Sequence, residues 1–302
     1  MDNQKLETIP EINNRKGILY MLTASLLFSI MGLMVKTIGP TLPASELVFF
    51  RNTIGLIFLG ISIRNKPLKN KGGKIYLLIF RGLIGTLALL LFFYNAATIS
   101  LAEATIYVQT SPIFIAIFSY FYLRENISLF SWGAILIGFV GIYFVLNPGK
   151  ILLENFTGIL NGVFTALAYT SIRGLSAYYE IRTIVLSFLL LGIFFPVILF
   201  LLPDFIFSPY FLVFKGIWRA PNLQEFFSIL VIGITAFLGQ IYVTKAYGTG
   251  KGGIVGIAGY STVLFSIPGG IFLGDQIPNL ETLAGIILII FSGAIVSLEK
   301  NK

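Results

Sequence analysis

Hydrophobic residues are concentrated in ten long runs that short polar stretches separate. The runs cover residues 17–39, 44–64, 74–98, 101–123, 128–147, 156–179, 182–202, 225–248, 252–274 and 278–298. A helix of about 20 apolar residues crosses the hydrocarbon core of a bilayer. A chain surrounded by lipid must also satisfy its backbone groups within each segment, which favours helices. The pattern therefore predicts an all-α membrane protein with ten transmembrane helices embedded in a lipid bilayer.

The two halves of the chain share a pattern of small and polar residues. Ser29-Ile30-Met31-Gly32 in the first run matches Ser171-Ile172-Arg173-Gly174 in the sixth. Each half holds five runs, so the second half would enter the membrane from the opposite side. The sequence thus predicts two inverted five-helix repeats, residues 17–147 and 156–298, preceded by a polar cytoplasmic tail, residues 1–16. A pseudo-symmetric chain of this kind is expected to work as a monomer.

Composition supports a membrane location and excludes several classes of protein. Hydrophobic residues make up 56% and charged residues 11% of the chain, whereas a soluble domain has about 25% charged residues. The net charge of +8 could indicate nucleic-acid binding. However, the basic residues cluster in loops that alternate along the chain, such as Arg64, Lys66 and Lys69. Such clusters mark the cytoplasmic side, so we expect an inner (plasma) membrane protein with both termini cytoplasmic and no nucleic-acid partner.

The chain contains no histidine and no cysteine. Histidine metal sites, thiolate ligands and Ser–His or cysteine nucleophiles are therefore excluded. We accordingly expect no catalytic residue, no metal and no cofactor.

Polar side chains inside the apolar runs are candidates for contact with a solute, because an ionisable group there costs about 2.5–3.5 kcal/mol. Arg81 lies about 10 Å inside its run at 1.5 Å per residue, too deep to reach the surface easily. For Glu103 the alternative is a first-turn carboxylate on the helix dipole, and for each tyrosine it is helix packing. The candidate substrate-binding residues are Arg81, Tyr94, Asn95, Glu103, Tyr107, Gln109, Arg173, Gln240, Tyr242, Lys245 and Tyr260.

Three other charged residues in the runs have competing interpretations. Lys36 lies near the end of its run and can extend its ammonium group to the interface. Glu46 and Arg51 are five residues apart, and an ion pair with neighbouring helices is as plausible for them as contact with a solute. Pro112 deprives the fourth run of one backbone hydrogen bond, which is common beside a cavity.

Several short segments resemble a known family. They are Phe92–Ala97, Leu101–Thr105, Ser111-Pro112 and Leu123–Glu125, with a second copy running from Lys245–Tyr247 to Leu273–Asp275. Together they resemble the EamA pattern of the drug/metabolite transporter superfamily. The resemblance implies a ten-helix carrier that moves small metabolites by alternating access. The second half departs from the pattern, with Asp275 where a glutamate is common and Gly253 opposite Glu103, so the two halves are chemically unequal.

The sequence therefore favours a secondary transporter for an amino acid, an amino-acid derivative or a related anionic or zwitterionic solute. Basic residues outnumber acidic ones within the runs, which favours a negatively charged group on the solute. An intramembrane enzyme or lipid-handling protein is the alternative, although Asp204 and Asp275 lie at run ends on opposite sides. A channel is a third possibility, and its flux would not saturate with solute.

Overall fold

The computed structural model describes residues 13–123, 128–146, 153–203, 214–249 and 252–299. Every regular element assigned in these ranges is a helix, which confirms the all-α class. They are α1 (Asn14–Ile38), α2 (Ala44–Asn65), α3 (Ile75–Thr98), α4 (Leu101–Val108), α5 (Ser111–Leu123), α6 (Leu129–Leu146), α7 (Leu153–Leu175), α8 (Ile181–Leu201), α9 (Leu223–Thr249), α10 (Gly252–Gly259), α11 (Ser261–Phe272) and α12 (Leu280–Glu299).

Six stretches of the described chain are long and apolar enough to cross a membrane. They lie in α1, α2, α3, α8 and α9 and across α10 and α11, and α6 and α12 contain shorter apolar stretches. Large apolar side chains such as Ile57, Phe194 and Phe227 point outward and are 57–59% exposed. In water such surfaces would cost free energy, whereas lipid accommodates them. The chain is therefore a multi-pass membrane protein.

Two of the predicted runs each form two helices instead of one. The run 101–123 is interrupted at Gln109 and Thr110, where Thr110 donates from its backbone and its hydroxyl to the Tyr107 carbonyl, at 3.2 and 2.6 Å. Pro112 is the second residue of α5, a position where its missing N–H costs little. The run 252–274 is interrupted at Tyr260, whereas Pro268 lies inside the continuous helix α11.

The helices pack against one another in defined pairs. Helix α1 packs along α9, α3 along α7 and α6 along α12, while α2 contacts α8. At the α6–α12 crossing, a Cβ added to Gly141 would lie 2.9 Å from the Gly285 carbonyl oxygen. A Cβ on Gly285 would likewise lie 2.6 Å from the Gly141 oxygen. Small residues at this position allow the two backbones to approach closely.

The ends of the helices define two faces of the molecule. We call the end where α1 begins the first face and the end where α1 finishes the second face. At the first face, the Asn13 amide donates to the Thr249 carbonyl (3.0 Å) and the Lys71 amide to the Tyr178 carbonyl (2.9 Å). At the second face, the Ser45 hydroxyl donates to the Lys215 carbonyl at 2.7 Å.

Candidate functional site

A cavity of about 130 Å³ lies among the central helices. Helices α1, α2, α3, α4, α7, α8 and α9 contribute lining residues, together with Gly259 at the end of α10 and Thr262 in α11. Most of the lining surface is apolar, and polar side chains from several helices are set into it, as is typical of sites for small molecules. An engineered cavity of about 150 Å³ holds benzene, so the present volume suits a compact solute.

Two arginines from different helices line this cavity. Arg51 in α2 is 2% exposed and Arg81 in α3 is 1% exposed. Their guanidinium carbons lie 5.0 and 4.8 Å from the ring centre of Phe188 in α8. Contact with an aromatic ring offsets part of the cost of burying a cation. Both guanidinium groups are thereby held at one place in the cavity.

Neither arginine is neutralised by a carboxylate among the described residues. The ion pairs found there involve other cations. Nε of Arg51 and both Nε and Nη1 of Arg81 are buried and find no hydrogen-bond partner in the described part of the chain. The two guanidinium carbons lie within about 10 Å of each other, because both approach the same ring. At that distance and an effective dielectric constant of about 20, their repulsion is at least about 1.7 kcal/mol.

Small residues and one amide hold the arginines in position. Nη1 of Arg51 donates to the Asn52 side-chain oxygen at 2.8 Å, and Nδ2 of Asn52 donates to the Val48 carbonyl at 2.8 Å. A Cβ on Gly192 would lie 2.2 Å from the Asn52 side chain. A Cβ on Gly85 would lie 2.9 Å from both Nη1 of Arg81 and the Phe188 ring. The positions of Asn52, Arg81 and Phe188 thus require glycine at 85 and 192, where a side chain would collide with them.

Gln109 and Gln240 also line the cavity, from α4–α5 and α9. Nε2 of Gln109 donates to the Gly259 carbonyl at 2.7 Å. This bond joins the interruption between α4 and α5 to the interruption between α10 and α11. Gln240 makes a long contact of 3.5 Å with the Thr244 hydroxyl. Of the predicted residues, the structure therefore brings Arg81, Gln109 and Gln240 together in one cavity.

Four predicted residues lie toward the second face and bind protein groups. Tyr94 donates to Glu154 at 3.0 Å, and Asn95 accepts from the Thr157 hydroxyl at 2.6 Å. These two bonds join α3 to the start of α7. The Glu103 carboxylate accepts from the Ser100 amide at 3.3 Å and forms a capping box at the start of α4. Tyr107 donates to the Asn155 side chain at 3.3 Å.

Three of the four remaining predicted residues, Tyr242, Lys245 and Tyr260, lie outside the described cavity lining. The Lys245 ammonium lies 5.5 Å from the Tyr242 ring centre and 5.8 Å from that of Tyr20. The Tyr260 hydroxyl is buried without a hydrogen-bond partner in the described ranges and faces Gly293. Arg173 belongs to α7, but its side chain lies outside the described residues.

Three residues of α7 that the sequence did not single out face the cavity: Asn161, Thr165 and Tyr169. They are spaced four residues apart, so they form one stripe along the helix. A polar residue at every fourth position within an apolar run is the sequence pattern that could have predicted these three cavity residues. Arg51 is likewise in the cavity, whereas Glu46 lies at the second face and accepts from the Arg219 amide at 3.3 Å. Of the two interpretations open for these residues, Arg51 therefore occupies the cavity lining and Glu46 binds a protein group.

Ion pairs at the two faces contrast with the unpaired cavity arginines. At the second face, Lys36 contacts Asp275 at 2.7 Å and donates to the Ile99 carbonyl at 2.8 Å. Asp275 also accepts from the Leu101 amide at 2.9 Å. One carboxylate thus connects the end of α1, the start of α4 and the segment after α11.

Arg219 pairs with Glu225 at the second face and donates to it through both terminal nitrogens. The hydrogen bonds to Glu225 raise the pKa of Arg219 above its ordinary value. This cation is therefore permanently charged and matched by a carboxylate.

Arg182 pairs with Glu180 at the first face. Partial burial pushes the pKa of Glu180 upward, but hydrogen bonds from Arg182 and the Lys69 amide outweigh it and hold that pKa below its ordinary value. Arg182 also donates to the Lys66 carbonyl at 2.7 Å. This group of contacts connects the α2–α3 loop to the start of α8.

Comparison with known proteins identifies the family. The sequence profile of the EamA-like transporter family matches residues 15–147. An uncharacterized transporter of Helicobacter pylori is 33% identical over 290 residues, which cover 93% of this chain and 94% of that protein. The chain belongs to the EamA-like transporter family.

Other comparisons agree with membership of the EamA-like family. The pseudopaline exporter CntI of Pseudomonas aeruginosa is 30% identical, over 95% of this chain and 97% of that protein. A crystal structure with 17% identity covers 96% of this chain at a TM-score of 0.66, which shows a common fold. The family resemblance noted in the sequence is thereby confirmed. The chain is a transporter and not an enzyme, so the intramembrane-enzyme alternative falls away.

Proposed function

We propose that the protein carries a small anionic or zwitterionic organic metabolite across the inner (plasma) membrane by alternating access. The observation that carries this proposal is the pair of buried arginines, Arg51 and Arg81, which line a central cavity without a carboxylate partner among the described residues. Unpaired buried charge is expensive, and in membrane proteins it commonly marks a solute pathway. A solute carboxylate would accept the free N–H groups in the usual fork geometry of arginine.

In this proposal, residues 17–147 and 156–298 are inverted five-helix halves that together form ten membrane spans. The packing supports it, because exchanging the halves converts one set of helix contacts into another. The α1–α9 contact corresponds to α7–α3, and α2–α9 corresponds to α8–α3. The α2–α8 and α6–α12 contacts correspond to themselves. Inverted halves of this kind usually hold the solute at their interface.

Alternating access requires contacts at each face that form and break in turn. The Lys36–Asp275 ion pair is a suitable contact at the second face, since it connects elements of both halves. Contacts around Arg182 hold the first face. With both termini in the cytoplasm, the first face is cytoplasmic. The protein would work as a monomer, because each chain contains both halves.

Cysteine accessibility tests the mechanism without knowledge of the solute, because the natural chain has no cysteine. Ala168 lines the cavity and is buried. We expect Ala168→Cys in sealed vesicles to react with a membrane-impermeant thiol reagent from one side at a time. A matched control is Leu19→Cys, at an exposed position of α1. Equal, simultaneous labelling of Ala168→Cys from both sides would identify a channel and refute alternating access.

A further inference from the structure

The charge of the cavity is unbalanced among its described lining residues. Arg51 and Arg81 are the charged residues in that lining, which includes no aspartate or glutamate. Guanidinium groups stay protonated in proteins. A solute that binds here therefore meets two positive charges and, among the described lining residues, no negative one.

The unused donors of the two arginines are held in fixed positions. Asn52 accepts from Nη1 of Arg51, which leaves Nε free. Arg81 has two free donor nitrogens and is confined between Phe188 and the bare backbone of Gly85. Donors that are positioned in advance bind an anion with little loss of side-chain entropy. The cavity lining therefore includes two positioned guanidinium groups that both retain unused donors.

We infer that the solute carries two carboxylate groups, one for each guanidinium. This inference rests on the proposed function and narrows it to dianions. A zwitterion would add a third positive charge where no described carboxylate can receive it. A monoanion would leave one arginine unbalanced. The solute is also short, because the cavity is about 130 Å³.

Three compounds with similar carbon frameworks separate these possibilities. Glutarate has two carboxylates, butyrate has one, and γ-aminobutyrate has a carboxylate and an ammonium group. Binding to the purified full-length protein is measured by thermal shift and by equilibrium titration. We expect glutarate to bind at least about tenfold more tightly than either of the others, a difference of about 1.4 kcal/mol.

Variants connect that preference to the arginine pair. Arg51→Gln removes one charge, so we expect glutarate to lose its advantage over butyrate. Arg64→Gln removes the same charge from an exposed position of the same helix and should leave the preference unchanged. Gly85→Ala keeps both charges but crowds Arg81, and it should weaken glutarate binding about fivefold through misplacement alone. Gly60→Ala, where an added Cβ meets nothing within 4 Å, is its control.

Several results would overturn the inference. They are equal binding of γ-aminobutyrate and glutarate, binding of two butyrates with the same overall affinity, and absence of binding by glutarate and its shorter and longer diacid homologues. A glutarate preference that survives Arg51→Gln would also contradict it. None of these results affects the labelling of Ala168→Cys, which tests the carrier mechanism separately.

Discussion

The cations at the centre of the molecule differ from those at its faces. Lys36, Arg182 and Arg219 each have a carboxylate partner. Arg51 and Arg81 are more deeply buried, yet they have no such partner in the described chain. Burial without a counter-charge normally destabilises a fold. The face cations are therefore matched within the protein, whereas we propose that the central pair receives its counter-charge from an anionic solute.

The largest expected effect is on the central pair. Arg81→Gln should lower glutarate uptake into liposomes by about 100-fold, because removing one partner of a buried charged contact costs about 2–5 kcal/mol. The same change should leave the denaturation temperature of the empty protein unchanged or higher, since it removes an unbalanced charge. Uptake and thermal denaturation are measured on the same preparation.

Arg219→Gln provides the matched comparison for this prediction. It removes a cation that has a carboxylate partner, so we expect a lower denaturation temperature and uptake within about twofold of the natural protein. If Arg81→Gln transported normally, or if both variants behaved alike, the distinction between central and face cations would be wrong.

A smaller effect is expected at the Lys36–Asp275 ion pair. Asp275→Asn removes the ion pair and weakens the contact with the Leu101 amide. We expect the second face to open more often, with Ala168→Cys labelled about tenfold faster from that side, if the contact contributes about 1–2 kcal/mol. Glu281→Gln, an exposed position of α12, is the control. Unchanged labelling would show that this ion pair does not close the second face.

The smallest effect concerns Glu180 at the first face. Its pKa is lower in the folded protein than its ordinary value of 4.5. Its stabilising contribution is therefore present above pH 4.5 and lost as the pH falls through the lower folded value. For a pair near the surface we expect less than about 1 kcal/mol. The denaturation temperatures of the natural protein and Glu180→Gln should differ at neutral pH and converge as the pH falls below 4.5 and through the lower folded value. A constant difference across this range would contradict the assignment.

The apolar runs predicted the helices well, because membrane helices must satisfy their backbones internally and leave a long apolar signal. The interruptions at Gln109–Thr110 and Tyr260 were not predicted. They depend on turn hydrogen bonds and on the cross-bond from Gln109 to the Gly259 carbonyl, which hydropathy does not report.

The cavity was predictable only in part. The position of Arg81 in the cavity could be predicted from its depth within the run, since a cation that deep cannot easily extend to the membrane surface. For Arg51 the sequence left two alternatives open, an ion pair with a neighbouring helix and contact with a solute, and only the packing of α2 against α3 and α8 places it in the cavity lining. Tyr94 and Glu103 met the same criterion of polarity within an apolar run, yet they bind protein groups. Which polar residue faces a cavity and which joins two helices depends on tertiary packing.

The close approach of α6 and α12 sets a limit on how the molecule can move. Gly141 and Gly285 meet backbone to backbone, so sliding either helix would bring bulkier neighbours such as Phe144 or Ile289 into that space. We therefore expect this crossing to act as a fixed pivot while the remaining helices rotate around it. Even a methyl group at either glycine would push α6 and α12 apart and loosen the packing at this crossing.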